Sequence, residues 1–300
     1  MTRVEVRDLV KDYATRSGLR RTTLRAVDRV SFDLEPGRTV ALVGESGSGK
    51  STIAKMLARL ERPTSGTIEV QPDDGRPVEA RAYRRHVQMV FQDPFASLNP
   101  FHSIEHHIAR PLRIHGRTSG RAQTHERVLQ LLERVRLTPA EEVAQRRPHE
   151  LSGGQRQRVA IARALAPGAK ILVADEPVSM LDVSIRLGVL NLLARLQRED
   201  QLAVLYITHD LATARHFSDE ILVLYRGRVV ERGPADDVIL NPQHEYTQLL
   251  AEAAPDPERV HEGGKLRFTA RPKIDNSRCF NHTTGSWEEA GTPSAATSKG

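Results

Sequence analysis

The middle of the chain alternates short apolar runs with amphipathic stretches. The first pair is the apolar run Thr39–Val43 and a following segment in which Ile53, Met56, Leu57 and Leu60 recur at helical spacing. Further buried strands are predicted at residues 87–91, 171–174 and 202–207, and further helices at residues 103–115, 121–137 and 184–197. Because strands and helices alternate, the sequence favours an α/β fold with a mostly parallel, doubly wound core sheet flanked by helices.

Two smaller units are predicted around this sheet. Residues 4–10, 27–34 and 67–70 have the character of strands and predict an N-terminal antiparallel β subdomain. The basic residues 14–25 between the first two strands are predicted to form a loop. Residues 98–166 have helical patterns and predict an inserted α-helical subdomain, whereas the two prolines in residues 93–100 argue against regular structure there.

The C-terminal part is predicted to hold a hairpin, two short helices and an extension. The hairpin strands are residues 221–225 and 228–231, and the helices are residues 234–240 and 245–253. Residues 285–300 are small and polar with almost no aliphatic side chains, which predicts disorder. We therefore divide the chain into a domain of residues 1–254 and a partly disordered extension of residues 255–300.

A glycine-rich segment links the first predicted core strand to the helix after it. Gly44 and Gly49 stand five residues apart and are followed by Lys50 and Ser51, which is the pattern of a Walker A loop. In such a loop, backbone N–H groups bind phosphate oxygens, the lysine reaches the β- and γ-phosphates, and the serine hydroxyl holds Mg²⁺. A glycine-rich turn without a ligand is the alternative. The predicted nucleotide ligands here are Gly44, Glu45, Ser46, Gly47, Ser48, Gly49, Lys50, Ser51 and Thr52.

Charge and cysteine content narrow the class of protein. The net charge of +6 is compatible with nucleic acid or an anionic membrane, but charges of both signs are interspersed, which favours an ordinary solvated surface. The single cysteine, Cys279, excludes an intrachain disulfide and favours a reducing compartment. With His282 it makes only an incomplete metal site. No apolar run is long enough to cross a bilayer, and we expect no signal peptide.

Several short motifs, in order and at matching spacing, resemble those of the nucleotide-binding subunit of an ABC transporter. They are residues 44–51 (Walker A), Gln92 (Q-loop), residues 151–155 (the signature LSGGQ), residues 171–176 (Walker B and the adjacent glutamate), residues 179–182 (D-loop) and His209 (switch histidine). The resemblance covers roughly residues 4–250. It departs at Met180, where alanine is more usual.

The end of the strand at residues 171–174 carries the candidate catalytic groups. Asp175 can hold Mg²⁺ opposite Ser51, and Glu176 faces the same crevice, where it can act as general base for the attacking water. A salt-bridge role is the alternative for Glu176. The resemblance implies that His209 binds the γ-phosphate and that Gln92 serves both the catalytic centre and the Mg²⁺ site.

The resemblance also implies a head-to-tail dimer that buries two ATP molecules. Glycines and an N-capping serine at a helix start make a second anion site, which in the family meets the Walker A loop of the opposing subunit. Tyr13 resembles the residue that stacks on adenine; an ordinary tyrosine at a strand end is the alternative. The further nucleotide-binding residues are thus Tyr13, Ser152, Gly153, Gly154, Gln155 and Asp182.

Residues 91–100 and 241–250 resemble elements of the dipeptide/oligopeptide and nickel importer subfamily, with Glu245 where proline is usual. This resemblance implies an ATPase at the cytoplasmic face of the membrane that drives peptide uptake through two transmembrane permease subunits and, indirectly, an extracytoplasmic solute-binding protein. The alternatives are nickel or another small solute and, less favoured, an ABC ATPase acting on nucleic acid; we expect no nucleic-acid partner.

Two further expectations follow from the subfamily. A permease helix should dock near residues 92–101, with Phe95, Leu98 and Phe101 as apolar contacts. Many members have a cysteine-rich C-terminal segment that can hold an iron–sulfur cluster. This chain has only Cys279, so no such cluster is expected.

Overall fold

Two β-sheets organise the residues that the computed structural model describes, which are 2–17, 20–72, 78–253 and 274–291. The strands are β1 (Arg3–Ser17), β2 (Arg20–Leu34), β3 (Thr39–Val43), β4 (Ser65–Gln71), β5 (Val87–Val90), β6 (Ile171–Asp175), β7 (Ala203–Thr208), β8 (Glu220–Tyr225), β9 (Arg228–Pro234), β10 (Arg278–Asn281) and β11 (Ser286–Glu289). The smaller sheet has the order β2-β1-β4 and the larger one β11-β10-β9-β8-β3-β7-β6-β5.

Helices connect the strands and cover the larger sheet. They are α1 (Lys50–Leu57), α2 (Ala80–His86), α3 (Pro94–Ser97), α4 (Ile104–Ile114), α5 (Arg121–Arg134), α6 (Ala140–Gln145), α7 (Gly153–Leu165), α8 (Val183–Asp200), α9 (Leu211–Phe217), α10 (Ala235–Leu240) and α11 (Glu245–Ala253), with a 3₁₀ turn at Pro148–Glu150. Among these helices, none combines the length and the hydropathy that crossing a bilayer requires.

The centre of the larger sheet is parallel, as predicted. β3 pairs in parallel with β7 and β8, and β6 pairs in parallel with β5 and β7, whereas β8 and β9 form the predicted antiparallel hairpin. Side chains alternate between two cores because strand residues point to opposite faces. Val40 and Leu42 pack toward the smaller sheet, and Ala41 and Val43 pack toward the helices.

The N-terminal antiparallel subdomain is confirmed, but its connecting loop is not. Of residues 14–25, predicted as a loop, residues 14–17 and 20–25 continue the ladder between β1 and β2. Polar cross-strand pairs support this exposed ladder. The Thr15 and Thr22 hydroxyl oxygens lie 2.8 Å apart, and Arg25 Nε donates to Asp12 Oδ1 at 2.9 Å. Basic composition was therefore a poor guide, because a cross-strand partner such as Asp12 can neutralise a basic side chain such as Arg25 in an exposed ladder.

The helical insertion is confirmed as α4–α7, with one correction before it. Residues 93–100 contain the short helix α3, which was predicted to be irregular. Proline is well tolerated in the first turn of a helix, and Asp93 Oδ1 caps this one by accepting hydrogen bonds from the N–H groups of Phe95 and Ala96 at 2.7 and 3.2 Å. Leu98 is buried in the helical core, so the expected docking role fails for this residue.

The C-terminal extension contains a β-hairpin where disorder was predicted. β10 pairs in parallel with β9 and antiparallel with β11, so the hairpin enlarges the main sheet. The aromatic rings of Phe280 and Trp287 are cross-strand neighbours in this hairpin and make an edge-to-face contact, with centroids 5.2 Å apart. Such a pair stabilises a hairpin that lacks aliphatic residues. The rest of the predicted disorder, residues 292–300, and the predicted boundary at residue 255 lie outside the described residues.

Candidate functional site

The glycine-rich loop runs from the end of β3 to the start of α1, as predicted. A side chain at Gly44 would place its Cβ 2.2 Å from the Leu224 carbonyl oxygen, and one at Gly49 would lie 2.4 Å from that of Ala26. Gly49 also has a φ of +111°, which disfavours residues with a Cβ. The two motif glycines are therefore required by the close approach of the loop to the backbone of its neighbours.

Lys50 lies folded back against this loop. It is 5 % exposed, and its Nζ donates to the carbonyl oxygens of Gly44 and Glu45, each at 2.7 Å. Burial lowers the pKa of the ammonium, while the carboxylates of Glu176, Asp175 and Glu45 oppose this shift. A desolvated cation beside the loop is suited to neutralise a bound phosphate.

Ser51 and Asp175 form the candidate metal site. The Ser51 hydroxyl donates to Asp175 Oδ1 at 3.2 Å, across the gap between α1 and the end of β6. Asp175 is buried, and this desolvation raises the pKa of its carboxyl. A hydroxyl and a carboxylate supply the hard oxygen ligands that Mg²⁺ prefers. The pair therefore fits a magnesium ion, whose charge would offset the cost of burying the carboxylate.

Glu176 gathers the two remaining predicted catalytic residues. Gln92 Nε2 donates to its Oε2 at 2.9 Å, and His209 Nδ1 lies 3.4 Å from its Oε1. These three side chains come from the ends of β5, β6 and β7, which are adjacent in the sheet. Glu176 also has a φ of +45°, an unfavourable backbone conformation for a residue with a side chain. Such strain at a carboxylate in a cleft is typical of a functional position.

The signature residues make their own local contacts at the start of α7. Ser152 caps α7, and its hydroxyl accepts from the N–H of Gln155 at 3.3 Å while Gln155 Oε1 accepts from the N–H of Ser152 at 2.9 Å. Gly153 and Gly154 pack against the D-loop side, where a Cβ on Gly154 would be 2.5 Å from Ile185 Cγ2. Among the described residues, no hydrogen bond joins the signature to the Walker A loop.

Within the described ranges, neither a hydrogen bond nor a ring contact joins the side chain of Asp182 or Tyr13 to the Walker A loop. Asp182 is the N-cap residue of α8, and its carbonyl accepts from the N–H groups of Ile185 and Arg186. Tyr13 lies on β1, where Lys11 Nζ is 4.9 Å from the centre of its ring. Their predicted roles in nucleotide binding stay predictions.

One residue at the site was missed by the sequence reasoning. The Tyr246 hydroxyl on α11 accepts a hydrogen bond from the Glu45 N–H of the loop at 2.8 Å. Tyr246 belongs to residues 241–250, which drew attention only as a subfamily element. These residues were noticed in the sequence, but neither their type nor their spacing indicated that Tyr246 contacts a loop 201 residues earlier in the chain.

Comparison with known proteins decides the family. The model of the ABC transporter family matches residues 27–179. The chain is 47 % identical over 259 residues to the di/tripeptide transport ATP-binding protein DppF of Pseudomonas aeruginosa, which covers 85 % of this chain and 79 % of the relative. This chain belongs to the ABC transporter family. It is an ATP-binding subunit of the importer type, and as an ABC ATPase it hydrolyses ATP.

A second relative and two solved structures agree with this assignment. The chain is 49 % identical over 258 residues to the glutathione import ATP-binding protein GsiA of Escherichia coli K12, covering 84 % of this chain and 41 % of that longer relative. The dimeric, post-hydrolysis ATP-binding cassette MJ0796 bound to ADP and Pi matches with a TM-score of 0.65 and 32 % identity, over 77 % of this chain and 98 % of that one. CbiO1 of Clostridium perfringens, part of the cbiONQ complex, matches with a TM-score of 0.66 and 26 % identity, over 79 % and 90 %.

Proposed function

We propose that this ABC subunit powers the uptake of short peptides. Its partners would be two transmembrane permease subunits, a second ATP-binding subunit that is the same or a paralogous chain, and, indirectly, an extracytoplasmic solute-binding protein. DppF, by its name, serves di- and tripeptide transport, and GsiA glutathione import, so both relatives handle small peptides. The subunit would lie peripherally on the cytoplasmic face of the membrane.

The observation that carries the ATPase chemistry is Glu176 placed between Gln92 and His209, next to the Ser51–Asp175 pair. Lys50 and the loop N–H groups would bind the β- and γ-phosphates of ATP. Ser51, Asp175 and Gln92 would hold Mg²⁺, which when bound neutralises the charge that develops on the phosphate oxygens.

Hydrolysis then needs one proton acceptor and one contact to the γ-phosphate. The Glu176 carboxylate would take a proton from the attacking water as the water oxygen bonds to the γ-phosphorus. The bond from that phosphorus to the β–γ bridging oxygen breaks, and ADP leaves. His209, whose Nδ1 lies 3.4 Å from Glu176 Oε1, would donate to a γ-phosphate oxygen.

We further propose that the signature residues complete the site of a facing subunit. In the part of the chain that the structure describes, no hydrogen bond joins Ser152, Gly153, Gly154, Gln155 or Asp182 to the Walker A loop. The capped N-terminus of the 13-residue helix α7 is suited to bind an anion. The matching cassette bound to ADP and Pi is a dimer. ATP would close the dimer and hydrolysis would open it, because the two states differ in affinity for ATP and ADP.

The permease would dock at the cleft beside the Q-loop. Phe95 and Phe101 are 56 % and 82 % exposed on either side of buried Leu98. The Arg156 guanidinium lies 3.9 Å from the centre of the Phe95 ring, in a cation–π contact. Two exposed aromatic rings near Gln92 are suited to anchor an apolar helix face.

Reconstitution tests the transport function. The subunit is purified with the permeases encoded beside its gene, placed in vesicles with the matching solute-binding protein, and supplied with ATP and a radiolabelled dipeptide. We expect ATP-dependent dipeptide accumulation that unlabelled dipeptides suppress. Uptake of nickel in place of the dipeptide would contradict the peptide assignment. Copurification with nucleic acid that salt releases, and without any permease, would contradict the importer function.

A further inference from the structure

The Walker A loop is held from outside the loop by α11. Glu45 has both backbone groups engaged, since its N–H donates to the Tyr246 hydroxyl at 2.8 Å and its carbonyl accepts from Lys50 Nζ at 2.7 Å. Tyr246 is buried, which raises the pKa of its hydroxyl to about 12, so the group stays neutral at physiological pH. The contact therefore fixes the second residue of the loop whatever the state of the catalytic groups.

The ring of Tyr246 is fixed by its surroundings. It packs on the ring of Tyr225 at the end of β8, with the centroids 4.3 Å apart. Its own N–H donates to His244 Nδ1 at 3.1 Å. Because Nδ1 accepts a hydrogen bond, the proton of the neutral imidazole is assigned to Nε2. Nε2 then donates to the carbonyl oxygen of Asp275 at 2.7 Å.

Asp275 belongs to the C-terminal segment that leads into β10, so His244 joins this segment to α11. A second connection runs through Glu231 of β9, which is fully buried. Its carboxylate accepts from the N–H groups of Gln243 and His244 at 2.8 and 3.0 Å, and from His282 Nε2 at 2.6 Å. A buried carboxylate with three donors holds its neighbours in one arrangement.

We propose that the β10–β11 hairpin braces the Walker A loop through His244 and Tyr246, and that Tyr246 is a positioning residue for ATP binding. The brace consists of the hairpin with its leading residue Asp275, His244, and the Tyr246 hydroxyl on Glu45. Because the brace orders the loop before nucleotide binds, the loop loses less conformational entropy on binding. The proposal takes ATP binding by the loop as given and does not depend on the transported solute.

The first test is Tyr246→Phe, which removes only the hydroxyl. The net value of one hydrogen bond predicts a rise of about threefold to tenfold in the Kd and KM for ATP, with kcat at saturating ATP unchanged. Hydrogen exchange of the loop amides, measured by mass spectrometry on the full chain, should become faster, while exchange in β6 stays the same. The matched control is Tyr225→Phe, which keeps the ring pair and should leave ATP affinity as it is.

The second test separates the hairpin from the tyrosine. In His244→Asn the amide oxygen can still accept from the Tyr246 N–H, but the side chain is too short to reach Asp275. We expect a smaller rise in the ATP Kd than for Tyr246→Phe and faster exchange at residues 274–282. ATP affinity equal to the wild type in Tyr246→Phe, or an equal loss in Tyr225→Phe, would overturn the role of Tyr246. Wild-type ATP affinity in His244→Asn would overturn the role of the hairpin.

Discussion

Glu176 and His209 are in contact, with 3.4 Å between Oε1 of the carboxylate and Nδ1 of the ring. The other carboxylate oxygen accepts from Gln92 at 2.9 Å. Both oxygens of the proposed base are therefore engaged by side chains from neighbouring strands. These two contacts couple the position of the base to the Q-loop glutamine and the switch histidine.

Glu176→Gln should abolish turnover while preserving ATP binding. The amide has nearly the shape of the carboxylate but does not accept the proton of the attacking water, so we expect kcat to fall about 10²- to 10⁴-fold. The ATP-bound dimer should then accumulate and elute as a dimer in size-exclusion chromatography with ATP and Mg²⁺. Glu35→Gln, at a surface turn beside Arg38, is the control. Monomers alone for Glu176→Gln, also with a paralogous partner added, would contradict the two-subunit site.

Asp175→Asn should stabilise the nucleotide-free protein at neutral pH. Burial raises the pKa of Asp175 above its ordinary value of 3.8, so the folded chain binds this proton more tightly than the unfolded chain does. The ionised carboxylate then lowers the free energy of unfolding at every pH above the folded pKa, and the cost disappears as the pH falls below 3.8.

The measurement is a thermal melt across pH. We expect the variant to melt at a higher temperature than the wild type at pH 7. The difference should shrink toward zero in acid. Added Mg²⁺ with ATP should stabilise the wild type more than the variant. A variant less stable than the wild type at pH 7 without nucleotide would contradict the stated cost of burial.

Gly44→Ala should destabilise the fold more than Gly47→Ala. The new Cβ at position 44 meets the Leu224 carbonyl oxygen at 2.2 Å, whereas nothing lies within 4 Å at position 47. Position 47 has only the cost of its positive φ of +81°, about 1 kcal/mol. Denaturant unfolding should give a loss of about 2–3 kcal/mol for Gly44→Ala. Equal losses of unfolding free energy in the two variants would show that the backbone φ, and not the contact with β8, explains the glycine at position 44.

Phe95→Ala should uncouple transport from hydrolysis. The side chain is exposed and outside the catalytic cluster, so ATP hydrolysis by the free subunit should stay within about twofold of the wild type. Uptake by the assembled importer should fall by at least tenfold, because a central aromatic anchor contributes about 2 kcal/mol to an interface. Leu240→Ala, which removes an exposed apolar side chain on α10, is the control. Equal loss of both activities in Phe95→Ala would contradict docking there.

The motifs predicted much of the site because they lie at strand ends. Gln92, Glu176 and His209 follow β5, β6 and β7, and Asp175 is the last residue of β6. Neighbouring parallel strands bring such residues together at one edge. Periodicity predicted the buried strands for the same reason, since their apolar runs reflect burial on both faces.

The errors have different physical causes. Cross-strand partners hold residues 14–17 and 20–25 and the strand β11 in place, and local composition does not reveal such partners. The Tyr246 contact depends on packing between distant elements. The positive φ of Glu176 follows from where β6 ends and has no signature in residue type.

The C-terminal hairpin also changes which strand forms the edge of the main sheet. Without it, the backbone of β9 would form an open template to which another strand could add. β10 occupies this place, and the sheet now ends in β11, a strand of four residues that includes Glu288 and Glu289. Short length and negative charge oppose strand addition. The hairpin thus protects the unassembled subunit against edge-to-edge aggregation.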